Sequence, residues 1–451
     1  MELNKNKLIF GVIGSLILLS FIFLLVTITN KNNTVTKTGG SGNTFKIWTY
    51  GYPMENSFQF VDDFKKAYPE HKNKEIIIEN FPSYEDYTYT MMAAISSGKG
   101  PDIFILNNNE KNSVFSNQIL AIDPAIVNPN DFRKRYKGFF SDDLISTFSD
   151  DTGTKEYLIG LPVGYETLGV FYNRRYAKNS DLKNLSSLNN IISDLSTKYT
   201  DLIPIGIGNG STVYKSEDII TQFFMLEGGV AGVGNLNNNV LKAGLSSYLL
   251  YGDTTGYNGF NSRFQELKNT KKDSIYLFSR GEVLMVVGYP SMIKNIKESG
   301  FSKTMLQATP FPHYFSGGGK TLADYNYFTI NKDTSDISLA ETFMSYLYSD
   351  AGATAYLGYF PYQLPALLSL ESDKLQQKID PDYTVILGDF YNEEYEIGSF
   401  DKGVKNIYDK NISLLLDSTV VDEAMFARFK ETIICKANKI LTFANLGVNC
   451  D

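Results

Sequence analysis

Short β-rich runs alternate with helical stripes between residues 45 and 106, and this alternation constrains the fold more than any other feature. The β-rich runs are residues 45–50, 75–81 and 101–106. Between the first two runs, apolar side chains recur at the spacing of one buried helix face: Phe60, Val61, Phe64, Ala67 and Tyr68. Residues 87–97 form a second predicted helix, which Gly98 ends. This order of elements is typical of a parallel sheet covered by helices on both faces.

A second series of predicted elements follows from residue 157 onwards. Strands are predicted at 168–172, 202–207, 282–289 and 327–330, and helices at 181–200, 216–226, 241–251 and 423–441. Asp336 is a predicted N-cap, because an apolar stripe follows it at Ala340, Phe343, Met344 and Leu347. About 400 residues exceed what one hydrophobic core normally supports, so we expect an α/β protein with two lobes.

The segment from Leu8 to Thr29 is uncharged and largely apolar. As a helix it would reach about 33 Å, enough to span a hydrocarbon core about 30 Å thick. Lys5 and Lys7 precede it, so the positive-inside bias places the rest of the chain on the extracytoplasmic side. We therefore predict a single-pass membrane anchor at residues 1–29 and a flexible polar linker at 30–44. The alternative is a cleaved signal peptide, whose apolar core is normally shorter and ends in a small-residue cleavage site.

The net charge disfavours polyanionic partners in general, and the cysteines indicate an oxidising compartment. The chain carries −8, and because residues 1–40 carry +3, the remainder carries −11. An acidic body argues against binding to nucleic acid or to anionic lipid. Cys435 and Cys450 are the only cysteines, and two cysteines close in sequence in an exported domain predict a disulfide. Two unrelated free thiols are the alternative.

Motifs for catalysis, metals and cofactors are mostly absent. His71 and His313 are the only histidines, and the sequence contains no G-x-S-x-G elbow or H-x-x-x-H metal pair. We therefore predict no metal and no cofactor. Adjacent carboxylates such as Asp142 and Asp143 point apart on a regular element and are more often solvated surface than an acid/base pair. A glycan-processing enzyme with two carboxylates from distant segments stays open as an alternative.

Five segments together resemble the extracellular solute-binding proteins of ABC importers, the family that includes the maltose-binding proteins. They are the first strand and helix at 45–69, SGKGPDI at 97–103, ILAID at 119–123, YLIGLPV at 157–163 with FYN at 171–173, and FSRGEVLM at 278–285. The resemblance implies a periplasmic-binding-protein-like fold with two α/β lobes and a hinge. The first lobe would comprise residues 45–165 and 308–348, and the second residues 166–307 and 349–451. It also implies a ligand between the lobes and a permease that responds to their closure.

Candidate ligand-binding residues lie where predicted strands end, because open α/β sheets bind ligands there. Aromatic faces suit the C–H faces of sugar rings, and amides and carboxylates suit the hydroxyl groups. Residues 165 and 166 lie at the predicted hinge crossing, and the resemblance favours aromatic contacts at 289 and 362. The candidates are Tyr50, Tyr52, Asn107, Asn108, Tyr165, Glu166, Tyr289, Tyr325, Asn326 and Tyr362.

The predicted function is therefore a non-enzymatic binding protein that captures a small polar ligand, with a sugar favoured, for an ABC importer. Hinge closure would select the ligand through its higher affinity for the closed state. The sequence leaves two alternatives open: the two-carboxylate enzyme, and a surface receptor or adhesin on the same fold.

Overall fold

The computed structural model describes residues 44–51, 54, 57–108, 115–150, 153–207, 215–228, 243–244, 247–248, 251, 274–314, 320–371, 386–387, 390 and 396–398. Several predicted features lie outside these ranges: the membrane segment, the linker before residue 44, the helix at 423–441, most of the helix at 241–251, and both cysteines. Within them, no helix has the length and apolarity needed to cross a membrane.

A six-stranded sheet forms the first part of the fold. Its strands are β1 (Phe45–Tyr50), β2 (Ile76–Phe81), β3 (Ile103–Asn107), β4 (Ile119–Leu120), β7 (Leu161–Pro162) and β13 (Asn326–Asn331). The order is β2-β1-β3-β13-β4, and β7 also pairs with β13. Strand β1 is parallel to β2 and β3, as predicted, but β13 is antiparallel to β3. The sheet is therefore mixed, because a strand from the distant 326–331 segment completes it.

Four helices pack around this sheet: α1 (Ser57–Ala67), α2 (Tyr84–Ser96), α9 (Ile337–Tyr348) and α10 (Asp350–Leu357). Helix α1 buries Phe60, Val61 and Phe64 of the predicted stripe. Ala67 at its last turn is exposed and Tyr68 after it is half-buried, because the stripe leaves the sheet where the helix ends. The ring of Phe64 lies 5.3 Å from that of Phe343 on α9, centroid to centroid. Helix α2 is followed by Gly98 at φ 66°, a left-handed conformation that favours glycine.

The predicted N-cap of α9 is confirmed. Asp336 accepts a hydrogen bond from the Leu339 backbone N–H at 3.2 Å and another from Lys74 Nζ at 2.6 Å. The hydrogen bond from Lys74 lowers the pKa of Asp336 below its ordinary value.

We expect Asp336→Ala to lower the free energy of unfolding by about 1 kcal/mol, because it leaves an N–H group of the first turn without its side-chain acceptor. Urea unfolding of the purified protein measures the change. Asp336→Asn is the control, since an asparagine amide oxygen can replace the cap and should restore most of the loss. Equal losses in both variants would show that the ion pair with Lys74, and not the cap, stabilises this end of α9.

A three-stranded antiparallel sheet forms the second part of the fold, in the order β10-β9-β11. Its strands are β9 (Gly169–Asn173), β10 (Met285–Gly288) and β11 (Leu306–Pro310). The accompanying helices are α5 (Leu185–Lys198), α6 (Ser216–Leu226), α7 (Ser274–Ser279) and α8 (Met292–Glu298). The predicted strand at 202–207 is only two isolated parallel bridges, from Ile203 to Val283 and from Gly206 to Val286. Pro204 lies between them, and without an N–H group it cannot donate to a continuous ladder.

A third sheet connects these parts along the chain. Its order is β14-β8-β12-β15, with β8 at Gly164–Thr167, β12 at Lys320–Asp324, β14 at Leu364–Pro365 and β15 at Glu396–Gly398. Strand β8 lies in the sequence between β7 of the six-stranded sheet and β9 of the three-stranded sheet. Strand β12 similarly links β11 to β13. This sheet therefore brings four separate segments of the chain together, and β8 and β12 lie beside the ends of β1 and β3.

The remaining elements lie between β4 and β7. Helices α3 (Pro129–Arg135) and α4 (Gly138–Leu144) precede a hairpin of β5 (Ile145–Asp150) and β6 (Gly153–Leu158). Helix α4 buries Phe140, whose ring packs edge-on against that of Tyr325 at 4.8 Å.

Candidate functional site

A cavity of about 210 Å³ lies where the ends of β1 and β3 meet β8, β12 and the segments after β10 and α10. Its walls combine aromatic rings, amides, two carboxylates and one lysine. The lining residues are Thr49, Tyr50, Gly51, Met54, Ile105, Asn107, Glu166, Lys215, Tyr289, Ser291, Asp324, Tyr325, Asn326, Tyr356, Phe360, Tyr362 and Gln363. A concave site with apolar rings and a few convergent polar groups is what a small polar ligand requires.

Asn107 organises the polar wall at the end of β3. Its Nδ2 donates to Asp324 Oδ1 at 2.5 Å, to Asn326 Oδ1 at 3.1 Å and to the Tyr325 carbonyl at 3.2 Å. Asn107 and Asn326 are register partners on β3 and β13, and Asp324 ends β12. The amide therefore holds a carboxylate and a second amide at one side of the cavity.

Asn108, the next residue, has a structural role. It is 4% exposed and does not line the cavity. Its Nδ2 donates to the Ala323 carbonyl at 3.1 Å, and its Oδ1 accepts from the Tyr325 N–H at 3.4 Å. These bonds tie the end of β3 to the junction between β12 and β13, so the side chain positions the segment that carries Asp324 and Tyr325.

Two buried tyrosines present their rings to the cavity while their hydroxyl groups are bound behind it. Tyr289 donates to Asp218 Oδ2 at 3.1 Å, and Tyr325 donates to Asp143 Oδ2 at 2.6 Å. Burial is the main cause that raises the pKa of both hydroxyls well above the ordinary value, and the adjacent carboxylates raise it further. Both tyrosines therefore stay neutral, and their hydrogen bonds fix the orientation of the rings.

Glu166 projects from β8 into the cavity, where it is partly exposed. Its Oε1 accepts the backbone N–H of Ser291 at 2.5 Å, a contact between β8 and the start of α8. Burial raises the pKa of Glu166 from 4.5 to about 8, and the charge of Asp324 acts in the same direction. The hydrogen bond from Ser291 and the charge of Lys215 lower it, but they do not offset the burial.

The raised pKa predicts that Glu166 reduces the stability of the fold as the pH rises. Between its ordinary value of 4.5 and about 8, the folded protein keeps a proton that the unfolded chain has lost. The free energy of unfolding therefore falls with rising pH across this window. In Glu166→Gln this contribution is absent, so the variant should gain stability relative to the wild type, on the order of a few kcal/mol, between about pH 5 and about pH 8.5. Urea unfolding of both proteins at the two pH values measures the difference. The same difference at both would contradict the prediction.

The end of α10 and the segment after it contribute aromatic rings to one wall of the cavity. The rings of Tyr356 and Phe360 lie 4.8 Å apart, and those of Phe360 and Tyr362 lie 6.2 Å apart. Gln363 lies beside them, and the described residues contain no hydrogen-bond partner for its buried Oε1. A Cβ atom at Gly164 would come within 2.5 Å of this oxygen, so β8 needs a glycine there for the glutamine to lie beside the cavity.

Seven of the predicted ligand-binding residues line the cavity: Tyr50, Asn107, Glu166, Tyr289, Tyr325, Asn326 and Tyr362. Their contact with a ligand remains a prediction. Tyr165 does not line the cavity but lies in the core, 1% exposed, with its ring against Phe139 and Phe140. Neighbouring residues on a strand point to opposite faces, which is why Glu166 faces the cavity while Tyr165 does not. Tyr52 lies outside the described residues.

Several cavity residues were missed by the sequence reasoning. Asp324 and Ser291 stand next to predicted segments, and the strand-end rule that selected Tyr325 and Asn326 could also have found Asp324. Lys215 has no such signal, because it precedes a predicted helix and does not follow a predicted strand. It is the single non-glycine residue with positive φ in the described chain. Within the described ranges, no group of three or more His, Cys, Asp or Glu side chains is arranged to hold a metal ion.

Solved structures have similar folds, and two of them are described as binding proteins for malto-oligosaccharides. A cyclo/maltodextrin-binding protein complexed with maltotetraose is 14% identical with a TM-score of 0.62, covering 89% of this chain and 99% of that one. The maltotriose-binding protein of Thermus thermophilus, bound with maltotriose, is 14% identical with a TM-score of 0.60, covering 88% and 100%. The GacH receptor of Streptomyces glaucescens is 14% identical with a TM-score of 0.60, covering 89% and 99%. These likenesses confirm the predicted α/β fold class, with the sheet mixed where a parallel one was predicted.

The sequence itself identifies the family. No curated protein matches the chain significantly. The family model for bacterial extracellular solute-binding proteins matches residues 59–381, well over half of the chain. The family consists of binding proteins and not enzymes, so neither the enzyme nor the adhesin alternative is favoured. The predicted family resemblance is confirmed, and the chain belongs to the bacterial extracellular solute-binding proteins.

Proposed function

We propose that this protein is the extracytoplasmic substrate-binding component of an ABC import system and that it binds carbohydrate in the cavity. The convergence of Tyr50, Asn107, Glu166, Tyr289 and Tyr325 on one cavity carries the proposal. Rings can stack on the apolar faces of a sugar, while amide and carboxylate groups accept and donate to its hydroxyls. The sugar-binding descriptions of the structural neighbours support the same class of ligand.

The proposed mechanism is closure of two lobes about the sheet that contains β8 and β12. The lobes would comprise residues 45–165 with 308–348, and residues 166–307 with 349–451. The cavity is lined from both proposed lobes, since Tyr50 and Asn107 belong to the first and Glu166 and Tyr289 to the second. A ligand that touches both sides of the cavity binds the closed state more tightly and shifts the population toward it.

The proposed partner is an ABC permease that receives the sugar from the closed form. The family is extracellular, which supports an extracytoplasmic body. Residues 1–29 would anchor it to the cell membrane as a single-pass helix, residues 30–44 would be the linker, and Cys435 and Cys450 would form the disulfide.

The test is isothermal titration of the purified full-length protein with a series of mono- and oligosaccharides, and with amino acids and peptides for comparison. We expect at least one carbohydrate to bind with a Kd in the micromolar range or below, equivalent to about 8 kcal/mol or more of binding free energy. Binding of amino acids or peptides alone would overturn the carbohydrate assignment while keeping the transport function. Hydrolysis of a bound oligosaccharide during the titration would overturn the binding-only role.

A further inference from the structure

Three titratable side chains line the cavity, and their charges sum to −1 when all three are ionised and to zero while Glu166 keeps its proton. Glu166 and Asp324 are carboxylates, and Lys215 is the one positive group among the described lining residues. The two carboxylates face each other in the register of β8 and β12. Directly opposed residues of an antiparallel pair have Cβ atoms about 5 Å apart, and like charges there repel. The fold therefore places two acidic groups side by side at the centre of a ligand site.

The existing hydrogen bonds leave both carboxylates with room for a ligand. Glu166 accepts the Ser291 N–H through Oε1, and Asp324 accepts Asn107 Nδ2 through Oδ1. The side chain of Ser291 also hydrogen-bonds Glu166. A carboxylate offers about four acceptor positions, so these bonds do not exhaust either group. The charge of Lys215 does not neutralise the pair, since burial together with Asp324 still raises the pKa of Glu166. With Glu166 ionised, the two neighbouring carboxylates therefore carry one more charge than Lys215 can balance.

The aromatic wall around the carboxylates adds a second, independent attraction for a cation. Tyr50, Tyr289, Tyr356, Phe360 and Tyr362 line the same cavity. The face of an aromatic ring carries negative potential and attracts ammonium groups, with more effect where water is excluded. Aromatic faces combined with carboxylates are suited to an ammonium group, whereas a neutral hydroxyl would bring no charge that favours ionisation of Glu166.

Resting on the proposed function, we propose that the carbohydrate bound here is an amino sugar, whose protonated amine lies between Glu166 and Asp324. The ammonium donates to both carboxylates, and the sugar ring lies against the tyrosine rings. A charge-assisted hydrogen bond is stronger than a neutral one, so the amine would distinguish this ligand from the corresponding neutral sugar. Entry of the cation also favours the ionised form of Glu166, so binding near neutral pH releases a proton.

The experiment compares a glucosamine trisaccharide with its fully N-acetylated counterpart of the same linkage, together with glucosamine, N-acetylglucosamine and glucose. Acetylation removes the charge and keeps the ring, so the difference in Kd measures the contribution of the ammonium. We expect the free amine to bind at least about tenfold more tightly at neutral pH in the full-length protein. Titration in two buffers of different ionisation enthalpy should show release of up to about one proton.

Three variants test which side chains cause the proton release and the preference for the amine. Glu166→Gln should remove the proton release and most of the preference for the amine, and Asp324→Asn should reduce the preference. Glu79→Gln on β2, which is exposed and outside the cavity, should change neither. Equal or tighter binding of the neutral or acetylated sugar would overturn this inference and leave the proposed function standing. Failure of every carbohydrate to bind would overturn the proposed function, and this inference with it.

Discussion

Tyr289→Ala is expected to weaken carbohydrate binding by roughly 30-fold or more, equivalent to about 2 kcal/mol. Tyr289 is 3% exposed and lines the cavity, and its hydroxyl group is held by a hydrogen bond to Asp218, which is not a lining residue. Such a side chain loses little conformational entropy when a ligand binds. Nearly all of the free energy of its contact with the ligand therefore contributes to affinity. Truncation removes the stacking surface and leaves water in its place.

Titration calorimetry with the sugar selected by the ligand screen measures this effect. Tyr289→Phe keeps the ring and removes only the hydroxyl, so it should lose much less affinity than the alanine variant. Tyr89→Ala is the matched control, because Tyr89 on α2 is 72% exposed and does not line the cavity. A Kd for Tyr289→Ala within about threefold of the wild type would show that this ring does not contact the ligand.

Phe64→Ala is expected to lower the free energy of unfolding by about 3–5 kcal/mol. Phe64 is fully buried on α1, and its ring lies 5.3 Å from Phe343 and 5.6 Å from Tyr346 on α9. Removing the ring loses its burial from water and leaves a cavity that two packed helices cannot close. The loss should be large because this cluster joins the first described helix to one that begins 280 residues later.

Phe58→Ala on the same helix is the matched control, since Phe58 is 65% exposed. Its free energy of unfolding should stay within about 0.5 kcal/mol of the wild type. Urea unfolding followed by the fluorescence of Trp48 measures both variants. Trp48 is the only tryptophan and lies on β1 of the sheet that α1 covers. Similar values for the two variants would contradict the packing described for α1.

The pairing of Glu166 with Asp324 shows how much of the site local sequence patterns can predict. Glu166 lies at the predicted hinge crossing and is a predicted ligand-binding residue, and its position in the cavity agrees with that prediction. Asp324 was not selected, although it directly precedes two residues that were. Their pairing depends on the register of β8 with β12, two segments separated by more than 150 residues. A pattern within one segment contains no information about that register.

Local patterns determined much of the secondary structure. The runs at β1, β2 and β3, the buried stripe of α1, the whole of α6 and the N-cap at Asp336 follow from side-chain spacing and capping chemistry within a few residues. These features are predictable because neighbouring residues decide them. The membership of the chain in its family also follows from short segments of the sequence, since the family model matches most of its length.

Tertiary structure alone decided the details on which ligand recognition depends. It inserted β13 antiparallel beside β3, placed Asn107 at the cavity but Asn108 beneath it, and directed Tyr165 into the core while Glu166 faced the cavity. It also reduced the predicted strand at 202–207 to two bridges. Each outcome depends on which strands pair and in which register, and a shift by one residue would turn every side chain to the opposite face. The sequence by itself therefore determined the elements and the family, and long-range pairing decided which side chains meet in the cavity.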